Sequence, residues 1–552
     1  MNAFIGVKKY LAELAEKAAG NIPVQYPPSQ EMGDLALPVG FKLAKELGKT
    51  PKEAAEDFAE KVKHPLIEKV EVQGGYVNVF LKRPETAEDV IKKALAKGYG
   101  GGEKTNERVV IDYSSINVAK PMHVGHLRST IIGGSLRRVY RYLGVEAIGI
   151  NYLGDIGTQF GKLIVAYRKW ADREALEKEP IKELLRIYVK FHEEAEKDPK
   201  LEEEARDAYR KLEEGEKEYV ELWKKFRELT IKYADRIYRM LGVEFDEISG
   251  ESFYVERARE IVDVLLERGI AERDPETGAV IVDFGEKLGK DVILKSDGTT
   301  LYLTRDIAAL MDRVEKYDPK KLVYVVGAPQ SDHFRKLFWI ARKLGVDREL
   351  VHVAFGLIHL PEGKMSTRKG RVVFLEDVLQ KAVELAGEEM RKRGTYNEED
   401  ARKIGAGAVN YAVLKVEPEK DITFRWEKVL SFEGDTGPYL QYSAVRARKI
   451  LEKAGDWEFA TPASVNDDEW AIVKKIAVFP EVLRDVVKKD RPHILARYVY
   501  GLAKEFHGFY DRNPVLKAEE PERSFRLGLV SAFHNVLTTG MELLLLEEPE
   551  KM

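Results

Sequence analysis

The chain has 552 residues, room for roughly three or four domains, and 44% of them are hydrophobic with no uninterrupted apolar run long enough to span a membrane. It contains no cysteine, which excludes disulfides, thiol nucleophiles and thiolate zinc sites. Basic residues number 90 and acidic residues 94, a net charge of −4, so any contact with nucleic acid has to come from local charge.

The opening stretch, MNAFIGVKKYLAELAEKAAG, reads as an amphipathic helix. It lacks the apolar segment and cleavage site of a secretory signal, so cytoplasmic residence is expected. VEVQGGYVNVFLK alternates like a pair of strands, and a helix follows near 85–97. Residues 98–107, GYGGGEKTNE, are glycine-rich and polar, a linker. RVVIDYS then reads as a short buried strand, and a helical pattern begins around His123. VEAIGINYLGD gives a strand and a loop. A long polar helical region, about 160–240, comes next, with a charge-dense part that reads as a solvated insertion. Strands are expected at GAVIVDF, DVILKS, KLVYVVG and VHVAFGLI, with helices between several of them. Strands alternating with helices indicate a parallel α/β sheet. From about 376 onward the pattern is helical.

Two motifs carry chemistry. In NVAKPMHVGHLRST, His123 and His126 sit three residues apart around Gly125, just after a strand and at the start of a helix. A helix N-terminus offers free N–H groups and partial positive charge. Two imidazoles on one helix face can meet one ligand and, as imidazole or imidazolium, stabilise charge growing on a pentavalent phosphorus. Gly125 leaves room for a purine or a backbone to come close. Read alone, the pattern is equally a helix start with two surface histidines. The second motif, EGKMSTRKGRVVF, puts Lys364, Arg368, Lys369 and Arg371 on a glycine-bracketed loop. Such cations can clamp a triphosphate, although a basic loop alone can simply be solvated.

Together these motifs resemble those of the class I aminoacyl-tRNA synthetases. His123-Val124-Gly125-His126 is similar to the HIGH motif and Lys364-Met365-Ser366-Thr367 to the KMSK motif, with Thr367 in place of its second lysine. DYSSINVAKPMHVGHLRST, NYLGDIGTQFGKL, LYLTRDIA, MSTRKG and GDTGPYLQYSAVRARKIL resemble the arginyl enzymes of bacterial type. A second departure is Gly134, where relatives commonly have aspartate.

The resemblance implies an α/β protein with a Rossmann-like parallel-sheet catalytic domain over 105–375, interrupted by a helical insertion at about 160–250. An N-terminal α+β domain over 1–100 and a C-terminal all-α bundle over 376–552 would complete it. It implies ligation of arginine to its tRNA through arginyl-adenylate, with ATP and Mg2+ as substrate and no zinc. Its partners would be the arginine tRNA, L-arginine and ATP, with no membrane and a monomeric state. The implied catalytic residues are His123, His126 and Lys364, and Gly125, Ser366 and Lys369 would join them around ATP. With the second lysine replaced, phosphate clamping falls to Lys364 and Lys369. Arginine contacts fall on Asp112, Ser115, Asn117, His123, Tyr302, Asp306 and Gln330. Chemistry independently favours Asp306, because a guanidinium calls for a carboxylate. Thr304 is expected to cap the helix whose first turn holds Asp306, so the alternative is that Asp306 serves only the helix dipole.

For tRNA, Tyr439, Tyr442 and Arg446 share one helix face in the region that resembles an anticodon-binding domain. Aromatics beside an arginine can stack on unpaired bases, or can simply pack a bundle. A second aromatic stripe, ARYVYGLAKEFHGFYDRN, reads as core. Tyr76 and Asn78 alternate onto one strand face and match positions the family uses against the D-loop. Two rival readings remain: a class I synthetase for another amino acid, and a synthetase-derived RNA-binding protein without catalysis.

Overall fold

The structure is a computed structural model that describes residues 1–359 and 373–552. Lys364, Ser366, Thr367, Arg368, Lys369 and Arg371 lie outside the described residues, and the basic-loop expectation with them. The chain forms two compact units.

The first unit comprises Met1–Gly101, Leu440–Asp485 and Arg497–Met541. Its opening helix, Ala3–Ala19, starts at Asn2, whose side chain accepts from the Ile5 N–H at 3.0 Å. The strands Ile67–Gln73 and Tyr76–Leu81 form the expected hairpin, which turns at Gly74 (φ +59°), and Leu35–Leu37 adds an antiparallel third strand. Residues from both chain ends share this unit's core. The fully buried Trp470 donates its indole N–H to Asp34 at 2.7 Å, and the Asn2 amide donates to the Ala477 carbonyl at 2.8 Å.

The second unit comprises Gly102–Tyr439, Val486–Ala496 and Glu542–Met552. Its centre is a five-stranded parallel sheet of β1 (Arg108–Asp112), β2 (Glu146–Leu153), β3 (Glu247–Gly250), β4 (Lys321–Gly327) and β5 (Glu349–Phe355), in the order β5-β4-β1-β2-β3. The chain runs outward from β1 to β3 and then crosses back to β4. The reversal therefore falls between β1 and β4, where open parallel sheets bind ligands beyond their carboxyl ends. Helix α1 (Val124–Tyr142) makes the first crossover. A run of helices ending in α2 (Lys217–Leu241) separates β2 from β3. Helices α3 (Tyr302–Tyr317) and α4 (Ser331–Lys343) bracket β4 in sequence. Strand residues Val110, Ile150, Leu322 and Tyr324 pack with Leu303, Ile307 and Leu310 of α3 in one apolar core. This is the Rossmann-like α/β class that the sequence predicts, with an α+β N-terminal portion and C-terminal helices.

Three details differ from expectation. The segments GAVIVDF and DVILKS do not join the parallel sheet: Val280–Asp283 and Lys290–Leu294 pair antiparallel, with Glu272–Arg273 at the edge. The six residues between them are too few for a parallel crossover, which takes a dozen or more. The sheet instead gains β3, a strand of four residues with no period to read. Thr304 is not a cap, because α3 begins two residues earlier; its hydroxyl donates to the Ile293 carbonyl from inside the helix. Among the described residues, no helix is long and apolar enough to cross a membrane.

Candidate active site

The loop after β1 is built against its own backbone preferences. Ser114, Ser115 and Ala119 adopt φ of 74°, 50° and 60°, a region L-residues rarely occupy unless their surroundings hold them. Here side chains from three elements hold the main chain. Ser114 N–H donates to Ser129 Oγ of α1 at 2.8 Å, Ser115 N–H to Asn151 Oδ1 of β2 at 3.1 Å, and Ala119 N–H to Thr230 Oγ1 of α2 at 2.8 Å. Asn117 bridges to Gly154, whose absent Cβ would lie 2.5 Å from Asn117 Oδ1.

The loop delivers the chain to the two histidines. His123 caps α1, its Nδ1 accepting from the Gly125 N–H at 3.0 Å. His126 Nδ1 accepts from the His123 N–H at 3.2 Å, and the rings lie 4.1 Å apart. A neutral imidazole that accepts at Nδ1 carries its proton on Nε2. The backbone therefore fixes both tautomers, and each ring is left with an Nε2–H to donate. Burial lowers the His123 pKa, and burial together with His123 takes His126 down to about 3. The fold therefore favours imidazole over imidazolium at this pair. Gly125 is required by the cap itself: a Cβ there would lie 2.6 Å from His123 Cε1. Gly134 also has a local reason, since a Cβ there would meet Val243 Cγ2 at 3.0 Å and Leu545 Cδ1 at 3.4 Å, no place for an aspartate.

Beyond the carboxyl ends of the strands lies a cavity of about 500 Å³. Asp112, Ser115, Asn117, Tyr302, Asp306 and Gln330 all line it; His123 does not. Helix α3 contributes Tyr302, Asp306, Ala309 and Arg313, the i, i+4, i+7, i+11 stripe of one face. The sequence reading missed Glu251, His333, Arg313, Tyr152 and Tyr324, which also line the cavity. The periodicity of α3 could have pointed to Arg313.

The carboxylates of this cavity are differently engaged. Asp112, buried, receives Arg313 Nη1 on Oδ2 at 2.8 Å and Ser115 Oγ on Oδ1 at 2.9 Å, so both of its oxygens are taken. Burial raises the Asp112 pKa against the pull of Arg313; the guanidinium stays protonated, and the 2.8 Å contact holds the two as an ion pair. Glu251 is bonded by Arg305 Nε at 2.9 Å and Nη2 at 2.7 Å, both through Oε2. Burial takes Glu251 up to about 7 against the pull of Arg305. Asp306 accepts on Oδ2 from His333 Nε2 at 2.7 Å. Oε1 of Glu251 and Oδ1 of Asp306 have no protein partner among the described residues. Among the cavity's carboxylates, these are the oxygens still open to a cation.

In the first unit, Tyr442, on the helix Gly437–Ala454, stacks on His507 with rings 6.2 Å apart and 6° from parallel. Arg446 lies 4.7 Å above the Tyr442 ring and 5.3 Å from Tyr510. It donates to Tyr442 Oη at 2.6 Å and to His507 Nδ1 at 3.0 Å. Burial and the adjacent Arg446 take His507 down to about 4, which suits an acceptor. The second aromatic stripe is mostly core, as expected, with Phe506 and Phe509 fully buried, yet it supplies His507 and Tyr510 to this platform. Tyr439 belongs to the second unit, where its N–H donates to Thr436 Oγ1 at 3.2 Å. At the hairpin, Tyr76 is 38% exposed with Phe41 edge-on at 5.4 Å, whereas Asn78 is 7% exposed.

The family described as tRNA synthetases class I (R), catalytic domain, matches residues 90–426, well over half of the chain. This chain belongs to the arginyl class I tRNA synthetases. The arginyl-tRNA synthetase N-terminal domain matches residues 6–81 and the DALR anticodon-binding domain residues 440–552. An arginine–tRNA ligase of Clostridium beijerinckii is 43% identical, covering 99% of this chain and 98% of that one. The arginine–tRNA ligase 2 of Bacillus anthracis is 44% identical over 96% and 95%. Among solved structures, the arginyl-tRNA synthetase of Thermus thermophilus superposes with a TM-score of 0.85 at 27% identity, covering 99% of this chain and all of that one.

Proposed function

We infer that this chain joins L-arginine to its tRNA in two steps, with ATP consumed to AMP and pyrophosphate. The observation that carries this reading is the cavity at the sheet's switch point, which retains two unengaged carboxylate oxygens for a guanidinium. Arginine's carboxylate attacks the α-phosphorus of ATP, pyrophosphate leaves, and a hydroxyl of the terminal adenosine then takes the arginyl group and releases AMP. The Nε2–H groups of His123 and His126 donate to the phosphoryl oxygens as charge builds on them. Because both tautomers are set by main-chain N–H groups, no reorganisation accompanies the reaction. Magnesium enters with ATP. Lys364, Ser366 and Lys369 are assigned to the phosphates through the family motif.

Asp306 Oδ1 and Glu251 Oε1 receive the guanidinium, and Tyr302, exposed at the mouth, covers it. Ser115, Asn117 and Gln330 serve the amino-acid end. Asp112 acts on the ligand only through Arg313 and Ser115. Tyr442 and Arg446, with His507 behind them, are assigned to unpaired anticodon bases, and Tyr439 to the same helix's entry. Tyr76 and Asn78 are assigned to the tRNA corner, with Tyr76 supplying the surface. The protein is expected to act as a cytoplasmic monomer.

The test is charging of total bacterial tRNA with each of the twenty amino acids in turn. Arginine should be the sole efficient substrate; another winner overturns the reading, and no turnover at all would favour the RNA-binding alternative. In the same assay His126→Ala should lower kcat by at least about 10²-fold, the loss typical of one transition-state donor.

A further inference from the structure

Three carboxylates face one ligand cavity, and two guanidiniums of the protein itself stand beside them. Arg305 and Arg313 lie eight residues apart on α3, with Asp306 between them. Arg313 is 2% exposed and sits between the rings of Tyr152 and Tyr324, at 5.2 and 5.6 Å. Its Nη1 is bound to Asp112, while its Nε and Nη2 and the hydroxyls of Tyr152 and Tyr324 are buried and, among the described residues, make no hydrogen bond of good geometry. A guanidinium has donors only, so this edge of Arg313 turns away any second guanidinium that approaches Asp112. Arg305 occupies Glu251 Oε2 in the same way, and its remaining nitrogen donates to the Thr300 carbonyl at 2.7 Å. Counted with every carboxylate ionised, three carboxylates against two guanidiniums leave the cluster one positive charge short.

We propose that Arg313, supported by Arg305, is a specificity-determining internal counter-ion: it satisfies Asp112 and sets the cavity's charge so that it admits one guanidinium, at the Asp306 end. The inference rests on the arginine reading above. Its consequence is that preference for arginine over citrulline, the neutral ureido analogue of the same shape, follows the net charge of the cluster and not Asp306 alone. Low-dielectric surroundings let such a fixed charge act across the cavity.

The experiment compares dissociation constants for arginine and for citrulline by calorimetry in the unaltered protein, Asp306→Asn, Arg313→Gln and the double variant D306N/R313Q. Glutamine keeps an amide donor for Asp112. Asp306→Asn should lose most of the preference for arginine. D306N/R313Q, which restores the missing negative charge by freeing Asp112, should regain at least about tenfold of it. Arg313→Gln alone should raise the preference above the unaltered protein. A purely structural Arg313 would instead weaken both ligands equally. A folded D306N/R313Q, with its melting transition retained, that discriminates no better than Asp306→Asn overturns the proposal. If the Arg313 variants do not fold, proton exchange in the unaltered protein decides. Glu251 faces Arg305, Asp306 and Asp155. Arginine binding at pH 7 should release protons from this charge-deficient cluster, and citrulline binding should not; equal release by both overturns the proposal. An unaltered protein that does not prefer arginine ends the underlying reading instead, so the two failures are distinct.

Discussion

Two arginines in this molecule each lie between two tyrosine rings, and they are put to opposite uses. Arg313 is buried, flanked by Tyr152 and Tyr324, and ion-paired to Asp112 at 2.8 Å. Arg446 is half-buried, flanked by Tyr442 and Tyr510, and bonded to the Tyr442 hydroxyl and His507 Nδ1, both neutral acceptors. A buried cation without a carboxylate would be costly, so the first has its charge consumed inside the fold. The second is held by neutral acceptors, which is the basis for assigning it to a partner outside. The same local grouping is thus neutralised by a carboxylate in one unit and bonded only to neutral acceptors in the other, and the partner's charge decides which.

The largest effect that separates them is on stability. Arg313→Leu leaves Asp112 buried and uncompensated, and should destabilise the second unit by about 3–5 kcal/mol. Arg446→Leu removes no ion pair among the described residues and should cost under about 1 kcal/mol. Thermal melting of both variants checks this; equal losses would show that Arg446 is as structural as Arg313. A smaller effect belongs to the platform. Tyr442→Ala should weaken binding of intact tRNA by about 1–2 kcal/mol, within the range for one base–aromatic stack, and leave arginine affinity alone. The difference should vanish for a tRNA lacking its anticodon stem, and its persistence there would remove Tyr442 from the anticodon.

Much of the architecture was legible because it is written in periods. Alternation in 70–82 gave the hairpin, and short β-branched runs gave β1, β2, β4 and β5. The histidine pair was legible as a helix start because capping is a local event. The cavity's six predicted residues carry motif chemistry at a strand end, in loops after strands and on the first turns of α3, and the fold does gather them. What stayed hidden depends on distant contacts. Nothing in the sequence near Asp112 announces that its carboxylate is bound by Arg313, 201 positions later. Glu251 follows a strand too short to show a period, and His333 reads as an ordinary residue of an amphipathic helix until Asp306 is found beside it. The misplaced cap at Thr304 has a local cause: a threonine before an acidic residue imitates an N-terminus, and only the Ile293 carbonyl reveals that its hydroxyl is engaged elsewhere.

The smallest expected effect concerns pH, and it asks whether Glu251 behaves as the cavity's adjustable charge. Glu251 sits up at about 7, because burial outweighs the pull of Arg305, with Asp306 adding to the rise. An acid raised in this way is protonated and neutral below that pH and ionised above it. Proton loss between pH 6 and 8 therefore adds negative charge, and a free acceptor at Oε1, to a cavity assigned to a permanent cation. Arginine KM should fall several-fold as pH rises through 7, while citrulline binding stays flat. His126 cannot produce this slope. Taken down to about 3, it keeps its neutral Nε2–H donor across the whole window, and burial lowers His123 in the same direction. His126 should therefore impose no acidic limb on kcat there. Glu251→Gln keeps the shape and an acceptor but cannot ionise, and its arginine KM should be nearly independent of pH. A slope that survives in Glu251→Gln would move the titration to another group. A flat profile in the unaltered protein would mean that Arg305 holds Glu251 ionised throughout, making it a fixed charge like Asp112.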